Sequence, residues 1–123
     1  MAAPNLLSPT TINGKTVTVN LTTTSATSVL SNAASSGKAL KVNALYVANT
    51  TASAANITIN QYSAAALGGT AFPIASTVSV PGNATLVVID KDAYVYLEEN
   101  TSLGATAGTS SALQIVCSYE DIS

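Results

Sequence analysis

The side chains able to do chemistry are few and oddly placed. All six acids fall late in the chain: Asp90, Asp92, Glu98, Glu99, Glu120 and Asp121. Carboxylates with Asn and Ser oxygens ligate Ca²⁺, and paired carboxylates hydrolyse glycosides. The spacing matches no EF-hand loop, and acids flanking a lysine, as in Asp90-Lys91-Asp92, read as a solvated turn. A glycosidase also wants a sugar-stacking aromatic, and the chain offers five tyrosines, one phenylalanine and no tryptophan. There are 15 Ser and 17 Thr but no histidine and no arginine. A serine nucleophile needs a base and an oxyanion hole, and no G-x-S-x-G run occurs. Gly68-Gly69 lacks the Gly-Lys-Ser/Thr of a phosphate loop. Cys117 is the single cysteine. It has no partner for an internal disulfide and no base to activate it, so it reads as a small apolar residue in a strand. We therefore expect no enzyme: no catalytic residue, no cofactor and no metal.

Charge narrows the partners. Four scattered lysines (Lys15, Lys38, Lys41, Lys91) against six acids give a net charge of −2 and a pI near 4.6. Nucleic acid is not expected, because backbone binding needs clustered basic groups. Apolar contact and backbone hydrogen bonds must hold any partner, and salt does not screen these. No apolar run approaches the length of a bilayer span, so no membrane partner is expected. The N-terminus lacks the basic start and apolar stretch of a signal peptide, which points to a protein kept in a cytoplasm or packed there into something larger. Five N-x-S/T triplets begin at Asn20, Asn49, Asn56, Asn83 and Asn100. A chain this rich in Asn, Ser and Thr makes such triplets by chance.

The elements that would carry a surface are strands. At 123 residues the chain suits one domain. Thr16–Leu21 alternates cleanly, with Val17, Val19 and Leu21 on one face. Asn13-Gly14 ahead of it is a hairpin signal that would fold Leu6–Ile12 back, with Pro9 confining that stretch to an edge. Ser25–Ala34 reads as a short strand and a turn, with a helix as the alternative. In Lys41–Ala48, Val42, Ala44, Tyr46 and Ala48 share a face, opposite Leu45 and Val47, as in a central strand. Asn56–Tyr62, Phe72–Val80, Thr85–Ile89, Tyr94–Leu97, Ser102–Ala107 and Leu113–Tyr119 follow, with Thr85–Ile89 reading as fully buried. Pro81-Gly82 and Glu98-Glu99-Asn100 are turns. About eight strands at even spacing predict an all-β fold, an antiparallel β-sandwich or jelly roll. Residues 1–14 differ from the β-sandwich domain of 15–123. They hold two of the four prolines and no charged side chain, and they read as an extended N-terminal arm, with a solvated tail as the alternative. Leu6, Leu7, Pro9 and Ile12 are the candidate contacts of that arm. Tyr46 and Tyr119 are expected in the core. Tyr94 and Tyr96 alternate beside acidic turns and read as core or rim packing, with a subunit interface and a sugar platform as the alternatives.

Four stretches carry a resemblance: Gly37–Asn49 (GKALKVNALYVAN), Thr77–Lys91 (TVSVPGNATLVVIDK), Tyr96–Leu103 (YLEENTSL) and Cys117–Ile122 (CSYEDI). Together, in this order, the chain resembles small virion structural proteins of tailed bacteriophages, especially those infecting marine cyanobacteria. The resemblance implies a place on the virion, assembled in the host cytoplasm. Its most direct form is a capsid decoration (cement) protein at the capsid surface. Its partner would then be the major capsid protein, and it would act as a homo-oligomer, with a trimer suggested by analogy. A neck, tail or fibre-base component is the alternative within the family. A carbohydrate-binding or host-attachment module is the alternative outside it.

Overall fold

The computed structural model describes residues 4–123, which fold into nine β-strands and one 3₁₀ turn. In chain order the strands are β1 (Ile12–Leu21), β2 (Thr27–Asn32), β3 (Ala39–Asn49), β4 (Ala55–Ala64), β5 (Gly68–Val80), β6 (Thr85–Ile89), β7 (Val95–Leu97), β8 (Thr101–Ala107) and β9 (Leu113–Ile122). One sheet runs β1-β9-β3-β6, with β7 also paired to β3; the other runs β2-β8-β4-β5. Every pairing is antiparallel. Strands β1, β2, β3 and β4 pair with β9, β8, β6 and β5, as in one long hairpin rolled over itself. This is a jelly roll, as the strand spacing implied.

The core between the sheets is aliphatic. Leu21, Leu45, Ile57, Ile59, Ile89, Leu97, Leu103, Leu113 and Ile115 are fully buried, with Cys117 among them. Each contributes about 1.5–3 kcal/mol by leaving water, so stability is spread over many similar side chains. Phe72 takes no part: it lies exposed on β5.

Tertiary structure departs from the strand reading at four points. Asn13-Gly14 does not turn. It runs inside β1, where Asn13 pairs with Asp121 and Gly14 with Glu120, because ten residues of ladder outweigh a local turn preference. Ile12 consequently belongs to β1, and the sheet begins before the expected arm boundary at 14. On β3, register slips between Val42 and Ala44. This bulge at Asn43 inserts one residue and reverses the phase of the strand. Val42, Leu45 and Val47 therefore all face the core, while Tyr46, expected inside, is exposed. Thr85–Ile89 is an edge strand, with Val87 open to solvent, not a fully buried one. The region after Pro81-Gly82 also explains one glycine. A Cβ on Gly82 would meet the Ala52 carbonyl oxygen, where Asn83 N donates to Thr51 O at 2.8 Å.

Candidate interaction surface

The two outer faces of the roll differ. On the β2-β8-β4-β5 sheet, the turn after β4 folds back as a roof. Its three successive amides are each taken by a side-chain oxygen: Ala65 N donates to Asn100 Oδ1 (3.1 Å), Ala66 N to Ser31 Oγ (3.0 Å) and Leu67 N to Ser102 Oγ (2.9 Å). Those bonds hold Ala66 and Leu67 at φ near +57° and +60°, a region unfavourable to residues with a Cβ. The Leu67 side chain then lies over Gly104, where a Cβ would come within 2.7 Å of Leu67 Cδ2.

Among the described residues, the β1-β9-β3-β6 sheet has no such roof. Thr18, Val116, Tyr46 and Val87 form one cross-strand row on its outer face, through the pairs Thr18↔Val116, Tyr46↔Val116 and Tyr46↔Val87. Val116, Tyr46 and Val87 are all exposed. Beside this row a hollow of about 580 Å³ is lined by Lys41, Ala44, Tyr46, Val87, Asp90 and Glu120, among others. Its apolar floor and balanced charges offer packing but no chemistry. The sequence missed this row because the Asn43 bulge decides which face Tyr46 occupies.

The candidate arm residues are separated by the structure. Leu6 and Leu7 sit in a short turn, closed by Ser8 N donating to Asn5 O (3.1 Å) and Leu7 N to Asn5 Oδ1 (3.0 Å). Leu7 is 95% exposed and Leu6 49%. Pro9 is half-buried. Thr10 and Thr11 then bond to Ser123, and Ile12 pairs with Ile122. The projecting part among the described residues is thus a turn over residues 5–8, shorter and less extended than expected.

Tyr94 and Tyr96 do come together, edge to face, with ring centres 5.6 Å apart. Lys41 Nζ lies 4.4 Å from the centre of the Tyr94 ring, a cation–π contact that covers one face of the ring. Tyr119 packs against the core.

Three of the six acids have structural tasks. Asp90 caps the 3₁₀ turn, accepting from Asp92 N and Ala93 N, both at 3.0 Å. Glu99 accepts from Gly37 N (3.2 Å). Asp121, 6% exposed, accepts from Lys15 Nζ (3.1 Å) and Lys38 Nζ (3.2 Å). Burial pushes the Asp121 carboxyl up, but the two lysine hydrogen bonds and charges outweigh it and hold its pKa below the usual value. Lys15 is raised in turn, chiefly by its hydrogen bond to Asp121. Among the described residues, no three His, Cys, Asp or Glu side chains gather as metal ligands do. Burial pushes the Cys117 thiol up to about 11, so at neutral pH it is an inert thiol. Asn49, which opens one N-x-T triplet, is buried. Its Nδ2 donates to Ser53 O (2.8 Å) and Val80 O (3.0 Å), and its Oδ1 accepts from Thr51 N (2.9 Å).

No family model matches this chain, and no curated protein matches it. A solved structure that does match comes from Bacillus endospore appendages, which form a family of disulfide-linked pili. The TM-score is 0.52 at 16% sequence identity, over 92% of this chain and 88% of that chain. At that identity the likeness establishes the fold: a β-sandwich of the same architecture.

Proposed function

We infer that the chain is a structural protein of a virus particle, acting as a capsid decoration (cement) protein that bridges major capsid subunits. One observation carries this reading: a domain whose cysteine is buried and whose Asp90, Glu99 and Asp121 carboxylates are occupied structurally presents, beside its first strand, an exposed uncharged Leu6-Leu7 turn. The sequence resemblance to phage virion proteins supports it, and the jelly roll is an architecture used by viral capsid domains. In this reading Leu6 and Leu7 fill pockets on the shell while the rigid roll covers the seam between subunits. Many copies acting together multiply a modest affinity through effective concentration, and the domain acts as a homo-oligomer.

The pilus likeness favours a second reading, a subunit of a polymeric appendage such as a neck, tail or fibre base. Disulfide linkage of the kind those pili use has no counterpart here, because Cys117 is buried and alone. Either assembly would rest on non-covalent contacts. Cryo-electron microscopy of purified particles separates the two. Hundreds of copies on the shell are expected; a handful at one vertex or along the tail would replace the decoration reading with the second one.

A further inference from the structure

Among the described residues β1 forms a free edge of its sheet, and its unpaired groups can be counted. Thr11 N donates to Ser123 O (3.0 Å), and Ser123 N donates back to Thr11 O (2.8 Å). Pairing then continues without a slip from Ile12↔Ile122 to Leu21↔Leu113. Residues that exchange both bonds alternate along an antiparallel ladder, so the odd-numbered residues of β1 bond to β9. The N–H and C=O groups of Ile12, Gly14, Thr16, Thr18 and Asn20 therefore point away from the sheet, and all five residues are exposed.

The other edges are blunted. β2 has six residues and a register slip between Ser28 and Leu30. β6 has five residues and β7 three. β5 is long, but three slips interrupt its ladder and Pro73 removes a donor. Bulges, brevity and proline are how β proteins avoid edge-to-edge association. β1 uses none of them. Its one charged residue, Lys15, is tied back to Asp121.

We propose that β1 pairs with β1 of a second copy, antiparallel about a two-fold axis at Thr16, joining two sheets into one. This register places Thr16 opposite Thr16, Gly14 opposite Thr18 and Ile12 opposite Asn20, and it engages all five outward-facing residues of each strand. Lys15 falls opposite Val17, where its alkyl stem covers a half-buried side chain. Centring on Lys15 instead would set two like charges directly across the ladder. Centring on Val17 would leave Ile12 without a partner residue inside the strand. A two-fold pairing closes at two copies, which agrees with the blunting of every other edge. The proposal goes beyond the virion reading and stands without it.

The test uses the purified full chain and needs no particle. Sedimentation should give a dimer whose fraction rises with concentration. Under oxidation, Thr16→Cys should yield a disulfide-linked dimer, because paired residues across such a ladder have Cα atoms about 5.5 Å apart, within disulfide reach. Asn20→Cys should not, since it faces Ile12 of the other copy. Thr18→Pro removes an N–H that β9 does not use, so the variant should keep its β circular dichroism and sediment as a monomer. Thr16→Lys, which places two ammonium groups across the axis on an exposed face, provides the same readout if the proline variant misfolds. A native chain that stays monomeric at its highest workable concentration would overturn the proposal. So would cross-linking through Asn20→Cys as readily as through Thr16→Cys, or a dimer that survives Thr16→Lys.

Discussion

At the scale of single residues, the polar groups of this chain work as fasteners. Asn49 ties three segments together through its amide, and replacing it with Ala takes a partner from the buried Val80 carbonyl and from the Thr51 amide, while Ser53 O keeps Thr51 Oγ1 at 3.0 Å. Unsatisfied buried groups cost about 1–3 kcal/mol, so Asn49→Ala should lower unfolding stability by about 2–3 kcal/mol, read from urea denaturation. Asp121 acts differently because its two lysines remain half-exposed. Its folded pKa is lowered, so its contribution is present above the unfolded carboxylate value of about 3.9 and is lost as pH falls through the lower folded value. Lys15 is raised, so its side of the pair is lost only as pH climbs through a value above the ordinary lysine range. Thermal melts should therefore show an acid-side loss that Asp121→Asn removes, with the variant a few degrees less stable at neutral pH.

At the scale of elements, one inserted residue has the largest consequence. The bulge at Asn43 puts Val42, Leu45 and Val47 in the core and turns Tyr46 outward into the exposed row with Val116 and Val87. The N-terminal segment shows a similar division. Thr10 and Thr11 close the roll onto Ser123, so a cut through residue 12 would damage the sheet, whereas a cut after Ser8 would not. Deleting residues 1–8 should leave the melting temperature nearly unchanged, because Leu6 and Leu7 bury little against the domain. Binding to particles stripped of this protein should be lost, as read by co-sedimentation. Undiminished binding would move the contact from the turn to the roll itself. The alternation of Thr16–Leu21, Asn56–Tyr62 and Leu113–Tyr119 was legible in the sequence because each strand has one wet face. The edge position of Thr85–Ile89 was not, because an apolar run looks the same at the centre of a sheet as at its border.

At the scale of the whole molecule, the roll brings the first and last strands together. β1 runs beside β9 over its full length, and the lysines nearest its border, Lys15 and Lys38, are neutralised by Asp121. Exposed ion pairs are screened within about 8–10 Å at physiological salt, while apolar and backbone contacts are not. Particle binding should accordingly weaken little between low salt and seawater ionic strength, measured on stripped particles across a salt series. A steep loss would mean that the exposed acids, Asp92 and Glu98 above all, carry the contact.

The sequence by itself determined the class of the fold and the poverty of its chemistry. Period-two alternation is a local property, and absent side chains need no structure to be counted. It also singled out Leu6 and Leu7, since two leucines in an uncharged, proline-flanked stretch suit a solvated tail poorly. Only the tertiary structure decided which strands are edges, that Asn13-Gly14 continues a strand, that Tyr46 is exposed and that β1 alone is left unprotected. Those properties depend on which strand lies beside which. Pairing across the roll joins residues as far apart as Ile12 and Ile122, and no local pattern encodes that choice.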